Sequence, residues 1–394
     1  MTNPLLQSFN TKYQSAPFAE IKEEHYLPAF KELIDKSLQE IQEITQNPET
    51  PTFENTIEAL AYSGEQLDVV SNIFFNLNSA DTNDEIQQIA QEVSPLLTEF
   101  ASKISQNEQL FSRIKKVYDE KDQYSLNEEQ KMLLEETYKG FVRNGALLND
   151  EKKEQLKNIN IELSKKSLQF GQNVLAATNQ YYKHLTNKED LAGIPEAILA
   201  QYEEEAKERN LEGYVITLQF PSLLPILTYA ENRELRKELA IANGKKSFDG
   251  GEFDNQNLIK ELVQLRQEKA QLLGYKSFAD YVLEERMAKS PQKVLEFLNE
   301  LLTKAKPFAE KEVEELSVLA KADGITEMQS YDHAYYAEKL RKQKFDFNDE
   351  ELKPYFQLDK VQEAVFGLAG KLFGLEFVET TDIQKYHADV KTYE

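Results

Sequence analysis

Apolar residues recur at steps of three and four along most of this chain, the spacing that lines one face of an α-helix. Leu27, Phe30, Leu33, Ile34, Leu38, Ile41 and Ile44 form one such stripe, and Phe53, Ile57, Leu60, Leu67 and Phe74 form the next, with Thr52 placed to cap it. Asn83 opens a third helix through Ile86, Ile89, Val93, Leu97, Phe100 and Ile104. Ser125-Leu126-Asn127-Glu128 has the form of a capping box, hydroxyl and carboxylate each satisfying an orphan N–H, before a helix that reaches Phe141. Asn149 opens another helix through Leu156, Ile159, Leu163, Phe170 and Val174.

The period changes near residue 180. Tyr181–Leu185 and Tyr214–Phe220 are β-like and are expected to pair, with a short helix between them whose first turn suits Pro195. Helices then resume. Gly244 and Gly274 are candidate left-handed stops, Ser290-Pro291 begins a helix that Pro307 is set to kink or restart, and a helix over 361–373 stops at Gly374. Leu375–Val378 reads as a strand, and Val390–Glu394 alternates like the start of another that has no partner in view. The pattern divides the chain into an N-terminal helical region (1–178), a strand pair with helices (179–285) and a helical region leading into an interrupted domain (286–394). The fold class is mainly α.

Composition narrows the function. The net charge is −23 over 394 residues, which argues against a nucleic-acid partner, because phosphate binding needs clustered Lys and Arg. With no cysteine, disulfides, thiolate-bound metals and thiol nucleophiles are excluded. No signal peptide is recognisable and no window approaches a membrane-spanning run, so the reading is cytoplasmic, with no membrane partner.

Self-contained active-site chemistry is missing. A helical zinc site uses two His at i and i+4, and His25, His184, His333 and His387 lie far apart. Glu338 is five residues beyond His333, so on a helix the two side chains diverge by about 140°. No phosphate-binding loop and no nucleophile elbow is present, and Glu203–Glu205 and Glu312, Glu314 and Glu315 read as solvated helix faces.

Several stretches together nevertheless resemble the thimet oligopeptidase and oligopeptidase A family of zinc metallopeptidases, and within it the peptidyl-dipeptidase branch. They are Pro17-Phe18-Ala19-Glu20-Ile21 with His25–Phe30, Phe53–Leu60 with Ser63-Gly64, Asn232–Lys237, Leu273-Gly274-Tyr275 and Met287–Pro291. Tyr335-Tyr336-Ala337-Glu338-Lys339-Leu340-Arg341, Leu352–Phe356, Tyr386-His387 and Asp389-Val390 complete the set in the family's order. One departure is Tyr331-Asp332-His333, where relatives usually carry Trp-Asp-Trp.

The resemblance implies a two-lobed helical fold with a deep channel, zinc on one wall, and release of C-terminal dipeptides from short peptides, folded proteins being excluded. It places the family's His-Glu-x-x-His helix downstream of everything matched here. On this reading the chain is the N-terminal portion of the enzyme, binds no zinc itself, carries no catalytic residue and is inactive alone. Tyr335 and Tyr336 are the candidates for the channel wall, although neighbouring helical residues point about 100° apart, so at most one would face it. His25, Tyr26, Asn55, Arg233 and Arg236 are read as packing and capping positions. The alternative is a stand-alone helical scaffold or peptide-binding module derived from the peptidase lobe.

Overall fold

The computed structural model describes residues 3–345 and 352–394. The helices used below are α1 (Tyr26–Gln46), α2 (Glu65–Ala80), α3 (Asp84–Ser105), α4 (Glu108–Asp119), α5 (Glu128–Arg143), α6 (Asp150–Gln180), α7 (Glu196–Glu208), α8 (Phe220–Tyr229), α9 (Arg233–Gly244), α10 (Gln256–Leu272), α11 (Phe278–Leu283), α12 (Pro291–Ala322), α13 (His333–Phe345) and α14 (Leu358–Phe373). Strands β1 (Tyr182–Leu185) and β2 (Tyr214–Thr217) pair antiparallel, as do β3 (Glu379–Thr380) and β4 (Thr392–Tyr393).

Asparagine does much of the helix initiation. Its carboxamide oxygen accepts the third N–H of the helix at Asn83, Asn107 and Asn232, filling one of the donors that a helix start leaves open. Thr52 and Asn55 form a reciprocal box ahead of the Phe53–Glu58 turn. The box expected at Ser125 sits two residues later. Asn127 accepts from the Gln130 N–H at 2.9 Å, and Gln130 Oε1 accepts from the Asn127 N–H at 3.0 Å. A carboxamide pair does here what the hydroxyl–carboxylate pair was expected to do.

The chain forms two compact units. The first collects the chain to Gln169, Glu261–Val282 and Glu376–Glu394. Two cores lie within it, and α1 feeds both. Its first half brings Tyr26, Phe30 and Leu33 to Leu67, Val70 and Phe74 of α2 and to Ile86, Ile89 and Val93 of α3. Its second half brings Ile41 and Ile44 to Phe53, Ile57, Leu110, Ile114, Val117, Leu134 and Phe141. A single 3–4 stripe on one long helix thus nucleates both clusters.

The second unit holds Phe170–Lys260 and Leu283–Leu375. In its main core the β2 residues Tyr214 and Ile216 pack with Ile198, Leu199 and Tyr202 of α7, Leu223 and Ile226 of α8 and Leu235 and Leu239 of α9. All four β2 residues are buried, whereas β1 alternates between exposed and half-buried. Gly213 enters β2 at φ +96°, and a Cβ there would stand 2.4 Å from the Leu185 carbonyl oxygen, so only glycine admits this pairing.

Several local expectations are corrected. Gly244 is the last residue of α9 and is not among the left-handed glycines, whereas Gly274 and Gly374 are left-handed, at φ +88° and +70°. Pro195 is the N-cap residue of α7, one position before its first turn. Pro307 neither ends nor restarts α12, which runs 32 residues through it. Leu375–Val378 is not the strand; β3 begins at Glu379. The last residues do have a partner. Thr392 and Tyr393 lie opposite Thr380 and Glu379, and Val378 and Glu394 exchange N–H···O bonds of 2.9 Å. The same segment is tied to the start of the first unit by the Lys12–Asp382 ion pair (3.0 Å), by the Ala19 N–H on Gln384 Oε1 (2.8 Å) and by an edge-on contact of Phe18 and Tyr386.

Candidate functional site

Asn232 starts α9 so that Arg233 and Arg236, three residues apart, leave the helix on one side. Both guanidiniums converge on Asp332, which ends a short Ser330–Asp332 turn ahead of α13 and has no solvent exposure. Arg233 donates from Nε and Nη2 to its two oxygens at 3.0 and 2.7 Å, Arg236 donates from Nη2 at 2.9 Å, and the Gln329 N–H donates at 3.0 Å. Arg236 is also buried and donates from Nη1 to the Ala230 carbonyl at 2.6 Å. Burial pushes the Asp332 carboxyl up, but the Arg233, Gln329 and Arg236 bonds outweigh it and hold the group below the ordinary carboxylate range.

Tyr335 and Tyr336, the candidates from the sequence, flank this cluster on α13. The Tyr335 ring lies 4.2 Å from the Arg236 guanidinium and meets the Tyr336 ring edge-on. Tyr336 is 1% exposed and packs with Leu316 and Ala320 of α12. Desolvation, then the nearby Asp323 charge, push its phenol up to about 12. Tyr335 is the half-buried member of the pair. The Asp332 carboxylate is committed on both oxygens and held below the ordinary carboxylate range, so it is not a general base. The cluster holds α13 against α9 and fixes where Tyr335 stands.

The histidines do not assemble a metal centre. His25 Nδ1 accepts from the Lys22 N–H at 3.0 Å, His184 Nε2 lies 2.6 Å from the Glu212 carbonyl oxygen, and His387 Nδ1 accepts from the Asp389 N–H at 3.2 Å. His333 is exposed at the start of α13, and Glu338 is taken by Arg341 at 2.9 and 3.1 Å. Among the described residues no three His, Asp or Glu side chains lie together so as to hold an ion. The donors among the described residues therefore do not fit a catalytic zinc, which needs three converging ligands.

Each unit also carries a cleft that periodicity did not reveal. In the first unit, a cleft of about 620 Å³ is lined by Ser94, Thr98, Ser102, Asn160 and Lys269, among others. Burial pushes the Lys269 ammonium down. In the second, a cleft of about 430 Å³ is lined by Tyr181, Tyr182, Lys245, Lys246 and Phe253, among others. Among the described residues no helix is long and apolar enough to cross a membrane.

Residues 226–394, which include α9, Asp332 and the tyrosine pair, match the model for peptidase family M3. Residues 30–153 match the model for the neurolysin/thimet oligopeptidase N-terminal domain. Over these two stretches the chain is similar to the thimet oligopeptidase and oligopeptidase A branch of the M3 peptidases. It is 34% identical over 399 residues to oligopeptidase A of Escherichia coli (strain K12), and 36% identical over 395 residues to dipeptidyl carboxypeptidase of the same organism. It is 32% identical over 403 residues to a probable cytosolic oligopeptidase A of Arabidopsis thaliana. All of this chain is aligned in each case, but it spans only 58% of either bacterial relative and 56% of the plant one. The Asp332 cluster lies inside the peptidase-family match and outside the N-terminal-domain match.

Proposed function

We propose that this chain is part of a zinc-dependent M3 peptidase that cleaves short peptides, releasing dipeptides from their C-termini. The observation that carries this reading is the end-to-end alignment with oligopeptidase A and dipeptidyl carboxypeptidase at about one residue in three. The zinc and its ligands belong, on this reading, to residues other than those described, because the histidines present do not converge. Acting alone, the 394-residue chain then hydrolyses no peptide and holds no stoichiometric zinc. What it contributes is scaffold and approach. The Arg233–Arg236–Asp332 cluster fixes α13 and presents Tyr335 towards the substrate path, with Tyr336 as its buried support. A charge of −23 fits peptide rather than nucleic-acid partners, and among the described residues no helix is long and apolar enough to cross a membrane; a cytoplasmic location is part of the same proposal.

The test compares two proteins: the 394-residue chain, and one extended with the further residues that the longer relatives possess. Dipeptide release is followed on short blocked peptides, with zinc read by elemental analysis. Release by the extended protein, abolished by chelator, with none from the shorter chain, is the expected result. Chelator-sensitive release by the shorter chain itself would refute the assignment of catalysis to other residues. A stand-alone peptide-binding module would bind short peptides tightly and cleave none in either form.

A further inference from the structure

Helix α12 is covered at one end and bare at the other. Near its C-terminus, Leu316 and Ala320 are buried against Tyr336. Upstream, Leu295, Leu298, Leu301, Leu302 and Phe308 fall on one side of the helix and are 48 to 69% exposed. Charged residues Glu296, Glu300, Lys311 and Glu314 occupy the opposite face. The helix therefore has an apolar side and a wet side, and from Leu295 to Phe308, about 20 Å, nothing among the described residues buries the apolar side. Helix α14 repeats the pattern. Leu358, Val361, Val365, Leu368 and Leu372 form one stripe of 3–4 spacing and are 38 to 82% exposed. Uncovered apolar surface on this scale marks an interaction site. By contrast α1, α2 and α3 bury their stripes.

Both bare stripes fall within residues 226–394, the stretch matched by the peptidase-family model. The relatives that align with the whole of this chain possess much further polypeptide outside the 58% it spans. We propose that the bare stripes of α12 and α14 are the docking surface for that further polypeptide, taken up as amphipathic helices whose apolar faces complete 3–4 seams with them. The proposal rests on the functional reading above, since the docked part is the one assigned the zinc. It goes beyond that reading in naming the surface and the residues that make the joint.

The experiment co-expresses the 394-residue chain with a tagged polypeptide corresponding to the part of E. coli oligopeptidase A outside the alignment, and measures co-purification and affinity. The Leu298→Glu/Leu301→Glu variant and the Val365→Glu/Leu368→Glu variant are compared with Glu300→Lys on the wet face. All are surface changes, so their melting curves should match that of the parent. A complex is expected with the parent and with Glu300→Lys. Its affinity should fall on the order of 100-fold or more in either double variant, because each change buries a carboxylate where a leucine or valine was to dock. Undiminished binding by both double variants overturns the proposal. So does a stable homodimer of the parent that the same variants break and that captures no tagged polypeptide. A complex that forms through these stripes yet holds no zinc and cleaves nothing leaves the docking surface standing and removes the peptidase reading instead.

Discussion

Replacing Asp332 by alanine isolates the energetics of the ion cluster. The side chain has no exposure, and it accepts charged bonds from two arginines, Arg233 on both oxygens and Arg236 on one, plus one backbone N–H. Its partners respond differently to its loss. The Arg233 side chain is 30% exposed and can regain water, whereas that of Arg236 is 1% exposed and cannot. The dominant penalty is therefore a buried guanidinium without a counter-ion, about 3–5 kcal/mol. For a unit of this size that corresponds to a fall of roughly 6–20 °C in the melting transition. Differential scanning calorimetry at neutral pH measures it, and hydrogen exchange should show α9 and α13 losing protection together. Glu315→Ala, which removes a surface partner of Lys344, serves as the control and should cost at most about 1 kcal/mol. Asp332→Leu combined with Arg236→Met should recover much of the loss, because an apolar pair needs no counter-ion. An Asp332→Ala transition within about 2 °C of the parent would refute the argument. Because folding depresses this carboxyl's pKa, its contribution is complete above its unfolded value, near 3.8, and disappears as pH falls through the lower folded value. The parent should therefore lose its advantage over Asp332→Leu/Arg236→Met in acid, below about pH 4.

Asn127→Ala should lower stability by about 1 kcal/mol in a urea titration while Ser125→Ala changes little, since the cap is Asn127. Gly213→Ala should cost more than about 1 kcal/mol and loosen β1–β2 pairing by hydrogen exchange, because its Cβ would meet the Leu185 carbonyl and its φ is +96°. Burial pushes the Tyr26 phenol up to about 12, with Glu23 adding to it. Stability that is complete below the ordinary tyrosine value of 10 should therefore decline between pH 10 and 12, and Tyr26→Phe should blunt that decline in chemical-denaturation curves.

The helices were legible because amphipathic stripes and Asn caps are local signals. The first stripe, Leu27 to Ile44, folds as one helix, and the β1–β2 pair follows the change of period near 180. What remained hidden depends on residues far apart in sequence. Arg233 and Arg236 read locally as packing or capping positions, and the carboxylate they share lies almost a hundred positions away at Asp332. Nothing local distinguishes Asp332 from a solvated turn residue. The Leu375–Val378 run looks like a strand because apolarity is easier to see than pairing; the ladder forms next to it, where Thr380 and Glu379 meet Thr392 and Tyr393. Tyr335 and Tyr336 look equivalent in sequence, and only the Arg236 stack and the Leu316–Ala320 contact separate their surroundings.

The clasp between Lys12, Ala19 and Phe18 and the 382–386 segment has a consequence for synthesis on the ribosome. Its partners are separated by about 370 positions, yet they belong to the same unit. At ordinary elongation rates of about 5–20 residues per second, the N-terminal residues wait roughly 20–70 s before that segment is made. Meanwhile the core of α1, α2 and α3 can form, but Phe18, half-buried in the finished unit, has no Tyr386 ring to meet. The entropy of closing so long a loop grows only with the logarithm of its length, so the delay is one of time rather than of stability. The segment from Lys12 to Ala19 therefore stays without these contacts until the closing segment has been made.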